Sequence, residues 1–245
     1  TVRTFFDKEV TPHHDQWSKE GIVPRELWLK AGEAGLLCFD VEEEYGGAGV
    51  KDFRYNVILS EEQTRAGANG PGFSVHTDII VPYLSSLATD EQKQRWLPGM
   101  AAGELMFAIA MTEPGTGSDL AGMKTTAKLS EDGTHYVLNG AKTFISNGIM
   151  SDLVIVVART DPDAPKHKGI SYFLVDMKSE GISTSPLREI TGEALFNEVY
   201  LEDVFVPDDM VYDFDIEAPL RGGRQGSIGL AGFSACAHTS WALGL

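Results

Sequence analysis

Cysteine is nearly absent from this 245-residue sequence: Cys38 and Cys236 are the only two, and they lie far apart. That excludes a disulfide framework and a cysteine metal knuckle. Positive charge is scarce too. Twenty Lys and Arg against 36 Asp and Glu leave a net charge of −16, which repels nucleic acid and anionic membranes, so any phosphate ligand must be held locally. No uninterrupted apolar run reaches the length of a membrane span, and the N-terminus lacks the basic-then-apolar pattern of a signal peptide. The expectation is a soluble, intracellular protein, cytoplasmic in the first instance. Thr1 in place of Met suggests a trimmed or partial chain. Acids vanish near the end: residues 218–245 hold no Asp, Glu or Lys, where about four or five acids would be usual. A flexible tail and a non-native continuation, as from a shifted reading frame, are both open readings of residues 215–245.

What is present divides in two. Up to about residue 103 the apolar spacing is helical. Residues 3–17 place Phe6, Val10 and, beyond Pro12, Trp17 near one face. His13 and His14 are adjacent, so on a helix they diverge by about 100° and cannot share a metal as an i, i+4 pair could. Pro24, Glu26 and the stripe Leu27, Trp28 and Ala31 predict a short capped helix stopping at Gly35. The glycines of residues 42–49 have the wrong spacing for a dinucleotide fingerprint. Residues 52–66 predict a helix with Phe53, Val57, Ile58 and Ala66 as its apolar positions. Its neighbouring Glu61 and Glu62 diverge and read as surface charge, not as an acid–base pair. Residues 73–87 are apolar nearly all round, interrupted by His76 and Pro82, and predict a buried helix. Thr89 and Gln92 have capping-box spacing, and that helix is expected to stop at Pro98.

After Glu104 the period changes to two. Short β-rich runs at 125–129, 136–139, 142–146, 153–158, 170–175 and 198–201 are separated by turn signals at Asn139–Gly140, Asn147–Gly148, residues 131–133 and residues 161–165. Strands this short, with no helices between them, predict a small β-barrel or sandwich. The class is therefore α+β: an all-α domain over 1–104, then a β-barrel or sandwich domain over 105–214.

Between the two periods lies residues 110–119, Ala-Met-Thr-Glu-Pro-Gly-Thr-Gly-Ser-Asp. A buried strand opening at Leu105 ends here, because Pro114, Gly115 and Gly117 force the backbone out of regular structure. Thr112, Thr116 and Ser118 supply hydroxyls, and the glycines let backbone N–H groups approach a phosphate or a heteroaromatic edge. A merely structural turn is the competing reading.

The order and spacing of residues 112–119, 138–142 (Leu-Asn-Gly-Ala-Lys), 144–148 (Phe-Ile-Ser-Asn-Gly) and 201–207 (Leu-Glu-Asp-Val-Phe-Val-Pro) resemble the acyl-CoA dehydrogenase family. With Pro12-His13-His14 and residues 70–76 (Gly-Pro-Gly-Phe-Ser-Val-His), the sequence is similar to the long-chain members in particular. The resemblance implies an antiparallel β-barrel over 105–214 and FAD as cofactor, held by Ile109, Met111, Thr112, Gly117, Ser118, Phe144, Ile145 and Ser146. Thr112 would reach the flavin pyrimidine edge. Phe144 would pack beside the isoalloxazine, Ser146 would bond near flavin N5, and Ser118 would lie near the pyrophosphate and the CoA end of the substrate. The helix over 73–87 would line the acyl slot. The implied reaction is the α,β-dehydrogenation of fatty acid β-oxidation, with electrons passing to an electron-transferring flavoprotein. A glutamate base would come from a C-terminal four-helix bundle that also builds a homotetramer. That bundle is absent from this sequence, so no catalytic residue is assigned, no metal is expected, and weak or absent FAD binding is expected of a truncated chain. Residues 189–198 also depart from the family, lacking its Ser/Asp-Thr pair. A non-catalytic partner subunit and an acyl-CoA oxidase are the alternatives, and the mitochondrial matrix is the alternative compartment.

Overall fold

The computed structural model describes residues 1–212 other than 69, 166 and 167. The atypical tail expected at 215–245, with Cys236, lies outside the described residues. Two compact units are present. One comprises Thr1–Ala108, Ile149–Asp152 and Pro186–Leu195; the other comprises Ile109–Gly148, Leu153–Ser185 and the described chain from Phe196.

The first unit is helical: α1 Val2–Phe5, α2 His14–Glu20, α3 Arg25–Glu33, α4 Arg54–Arg65, α5 Val81–Leu87 and α6 Asp90–Ala101, with π-helical turns at Phe6–Val10 and Val75–Ile80. Residues 3–17 are thus not one helix. The π-turn and a turn around Pro12 break it, yet Phe6, Val10 and Trp17 all remain buried. Phe73 centres the core, with its ring 5.0 Å from Trp28 and 6.4 Å from both Phe5 and Phe6. Thr89 and Gln92 form the expected capping box. The expected stop at Pro98 is corrected, since α6 continues through it to Ala101. Trp96, Leu97, Met100 and Ala101 are buried on both sides of the proline, and that packing outweighs the roughly 3 kcal/mol cost of an interior proline.

The face expected for α4 is also corrected. Phe53, Val57 and Ile58 are exposed, at 65%, 42% and 48%, whereas Asn56 and Leu59 are buried. Asn56 Nδ2 donates to Asp78 Oδ1 at 2.6 Å, and this polar anchor together with Leu59 fixes the rotation of the helix.

The second unit is built on a curled sheet, of which only Phe107, Ala108, Pro186 and Leu187 are counted with the first unit. Its strands are β1 Phe107–Ala110, β2 Thr126–Leu129, β3 His135–Ser146, β4 Leu153–Arg159, β5 Ile170–Asp176, β6 Ile182–Leu187, β7 Phe196–Pro207 and β8 Val211–Tyr212, in the order β6-β7-β3-β2-β4-β5-β8, with β1 on β4. The pairs β2–β3, β3–β7, β4–β5 and β5–β8 are antiparallel, and β2 meets β4 in parallel at Thr126 and Arg159. Three expectations change. Residues 136–139 and 142–146 form one strand, so Asn139–Gly140 is a kink within β3 and not a turn. The run at 198–201 extends to the whole of β7. The strand β6, polar and containing Pro186, carries too weak a pattern to be anticipated.

Gly140 explains the continuity of β3. It adopts φ +156°, the register against β7 shifts beside it, and an added Cβ would lie 2.4 Å from Thr125 Oγ1 and 2.8 Å from Thr125 Cα. The strand turns its corner where only glycine fits. Among the described residues no helix is long and apolar enough to cross a membrane.

Candidate functional site

The site expected at residues 109–118 and 144–146 falls within the sheet unit. β1 ends at Ala110, and the chain doubles back at once: Glu113 N donates to Thr116 O at 2.9 Å and Thr116 N to Glu113 O at 3.1 Å, with Pro114 and Gly115 at the exposed corner. Asp119 Oδ1 then accepts from Ala121 N at 3.2 Å and ends the excursion.

Opposite it, β3 loses register with β7 between Lys142 and Ile145. Phe144 takes φ +58° there, a left-handed conformation costly for an aromatic residue. The ring is 39% exposed although Thr143 and Ile145 on either side are buried, and its neighbour Phe196 stands edge-on at 6.1 Å. A strained backbone that turns a large aromatic ring outward serves a surface rather than a core.

Loop and bulge are bonded together. Thr143 N donates to Thr112 O at 2.9 Å. Lys142 Nζ donates to Met111 O at 3.1 Å and to Glu113 Oε1 at 2.9 Å. Glu113 Oε1 also accepts from Thr125 N at 3.0 Å, and its Oε2 from Lys124 N at 2.7 Å. Both charged side chains are buried. Burial opposes ionisation of the Glu113 carboxyl, but the Lys142 ammonium and the hydrogen bonds outweigh it and hold the pKa below the usual carboxylate range. Burial lowers the pKa of Lys142, against the pull of Glu113.

The geometry thus brings Met111 and Thr112 beside the bulge at Thr143 and Phe144, after which Ile145 and Ser146 resume the pairing with β7. Thr112 and Ser146 are half-buried, whereas the side chains of Met111 and Ile145 are buried and leave mainly backbone for a ligand. Ile109 is half-buried on β1. Gly117 and exposed Ser118 lie past the turn, and among the described residues no hydrogen bond ties them to the bulge. Glu113 and Lys142 are the site residues that sequence reasoning passed over. Their signal was present: one acid in a small-residue turn and one lysine at an inward position of a β-run.

A cofactor with a flat polar-edged ring fits this arrangement. A Cβ added at Gly115 or Gly117 would meet nothing within 4 Å, so the loop backbone is open to a ligand. The Phe144 ring offers a face, and the Thr112 N–H has no acceptor among the described residues. Among the described residues no group of three or more His, Cys, Asp or Glu could hold a metal ion.

Comparison with known proteins places these features in context. Residues 1–104 match the acyl-CoA dehydrogenase N-terminal domain and residues 108–204 the acyl-CoA dehydrogenase middle domain. The long-chain specific acyl-CoA dehydrogenase, mitochondrial, of Sus scrofa is 47% identical over 211 residues, covering 84% of this chain and 48% of the relative. The chain spans about half the length of the curated relatives it matches. Among solved structures, an acyl-CoA dehydrogenase from Geobacillus kaustophilus superposes with a TM-score of 0.82 at 44% identity, covering 88% of this chain and 57% of the other. An acyl-CoA dehydrogenase complexed with FAD from Bacillus anthracis gives 0.76 at 36% identity, covering 86% and 36%.

Proposed function

The chain belongs to the acyl-CoA dehydrogenase family, and from that premise we propose that the protein is an FAD-dependent enzyme of acyl-CoA α,β-dehydrogenation. One observation supports this reading above others: the glycine-opened loop after β1 and the outward Phe144 are joined into one wall by the buried Lys142–Glu113 pair. When bound, FAD accepts the hydrogen that leaves Cβ together with its electron pair. The chain's own groups bind and orient. Phe144 would cover a ring face, the Thr112 N–H and hydroxyl would meet the pyrimidine edge, the Ser146 hydroxyl would bond near N5, and Ser118 would serve the pyrophosphate and the CoA end. The α-proton goes to a carboxylate as the C=C bond forms. Glu113 is not that base, because its oxygens are committed to Lys142, Lys124 N and Thr125 N. Long-chain fatty acyl thioesters are the proposed substrates, and an electron-transferring flavoprotein the proposed acceptor.

The test is anaerobic mixing of the FAD-loaded protein with saturated acyl-CoA thioesters of graded length. Loss of the oxidised flavin absorbance with formation of the 2-enoyl-CoA is expected, most readily with the long chains. An oxidised flavin spectrum neither bleached nor perturbed by any chain length would overturn the reading, because substrate binding perturbs the flavin even where no base is supplied, and peroxide release in air would reassign the acceptor to oxygen.

A further inference from the structure

The Lys142–Glu113 pair ties the loop after β1 to β3, but a tie does not need a buried ammonium. Glu113 already accepts from Lys124 N and Thr125 N, and the Thr143 N to Thr112 O bond joins the two segments by backbone alone. Burying a charge pair is no better for stability than packing apolar side chains of the same volume. The second contact of Lys142 is the informative one. Its Nζ lies 3.1 Å from Met111 O, and that carbonyl shares a peptide unit with the Thr112 N–H, a donor without an acceptor among the described residues. A cation bonded to a peptide oxygen draws electron density toward that oxygen and strengthens the N–H of the same unit as a donor.

We propose that Lys142 is a positioning residue that acts on the flavin through the Met111–Thr112 peptide, orienting its N–H and polarising it toward the ring's pyrimidine edge. The inference rests on the flavin reading above. The Lys142–Glu113 pair has no net charge and so exerts little field at a distance; its effect is directed along one peptide. Two-electron reduction concentrates negative charge at the pyrimidine end of the flavin, where a strengthened donor favours the reduced form.

The experiment compares the parent protein with Lys142→Met/Glu113→Gln, in which no buried charge is left unpaired, and with Lys142→Arg, which keeps a cationic donor for Met111 O. Each is loaded with FAD and titrated reductively against a redox dye. In the double variant the ratio of reduced to oxidised flavin at a fixed dye potential is expected to fall about tenfold, which for a two-electron couple is about 30 mV. Lys142→Arg is expected to recover most of that loss. A ratio within twofold of the parent, with only the melting temperature lowered, would show that the pair merely holds the fold together. Should the double variant not fold, the Thr112 amide proton of the parent decides: a downfield shift on FAD addition supports the proposal, and an unmoved resonance overturns it. With FAD in large excess, which offsets the weak binding expected of a truncated chain, failure of the parent to bind overturns the flavin reading as well. Binding with an unchanged redox ratio overturns this inference alone.

Discussion

His76 and Asp78, both on the π-turn Val75–Ile80, pull the acid stability of the helical unit in opposite directions. His76 is fully buried with Nε2 at 3.2 Å from Met100 O, and burial lowers its pKa from 6.5 to about 4. Asp78 is pushed up from 3.8 to about 6, first by burial and then by the charge of Asp40, against the hydrogen bond from Asn56. Between pH 6.5 and 4 the unfolded chain binds a proton on His76 that the folded chain does not. Stability fully present above 6.5 is therefore lost as pH falls through that window, by about 3 kcal/mol. Asp78 has the opposite sign. Its cost is full above pH 6, where the fold holds a partly buried carboxylate, and is relieved as protonation proceeds toward 3.8. The two slopes largely cancel in the parent. Asp78→Asn keeps an oxygen for Asn56 and removes the cost of the buried charge, so it should be more stable than the parent by about 2 kcal/mol at pH 7 and lose that advantage by pH 4, where the parent's carboxyl is protonated. Urea titrations at the two pH values measure this, and equal midpoints at pH 7 would refute it.

Within single elements, β3 decides most. Asn139–Gly140 is a strong hairpin signal, and it marks correctly that the backbone there is special. The direction the chain takes is set by a distant partner: Asn139 Oδ1 accepts from Asp203 N at 3.0 Å and its Nδ2 donates to Asp203 Oδ1 at 2.8 Å, which locks β3 to β7 through the kink. Gly140→Ala should therefore cost about 2–4 kcal/mol, read as a drop in the denaturation midpoint. Thr125→Ala should not rescue it, since Thr125 Cα remains at 2.8 Å from the added methyl. A cost below about 0.5 kcal/mol would mean the kink tolerates a side chain. The same distinction governs what was legible in the sequence. The Thr89 capping box, the break after Ala110 and the Asn147–Gly148 turn are local signals, and each was readable. The rotation of α4 depends on Asn56 meeting Asp78, and the Glu113–Lys142 pair spans 29 residues. Neither partner was visible from its neighbours, so one face was assigned wrongly and one pair was passed over.

For the molecule as a whole, the helical unit is not completed by residues 1–104. It also takes Ile149–Asp152 and Pro186–Leu195 from later in the chain. Arg25 on α3 bonds Asp152 and donates to Glu104 O at 2.5 Å, and Asp152 Oδ2 accepts from Met106 N at 2.9 Å. Asp152 N returns a bond to Met106 O at 2.8 Å. A polypeptide cut at residue 104 keeps Arg25 but loses Asp152 and Met106. In the intact chain Asp152→Ala should cost about 1–2 kcal/mol, reduced by the partial exposure of Arg25 to solvent. Asp152→Asn, which retains an acceptor for Met106 N, should cost less. At about 4–8 °C per kcal/mol for a unit of this size, the two variants separate in a thermal melt, and residues 1–104 alone should melt below both. Added salt should narrow the gap between parent and Asp152→Asn, because only the charge differs there, and leave the gap between Asp152→Asn and Asp152→Ala in place. If residues 1–104 melted like the helical unit of the intact chain, the later segments would be passengers on a domain already complete.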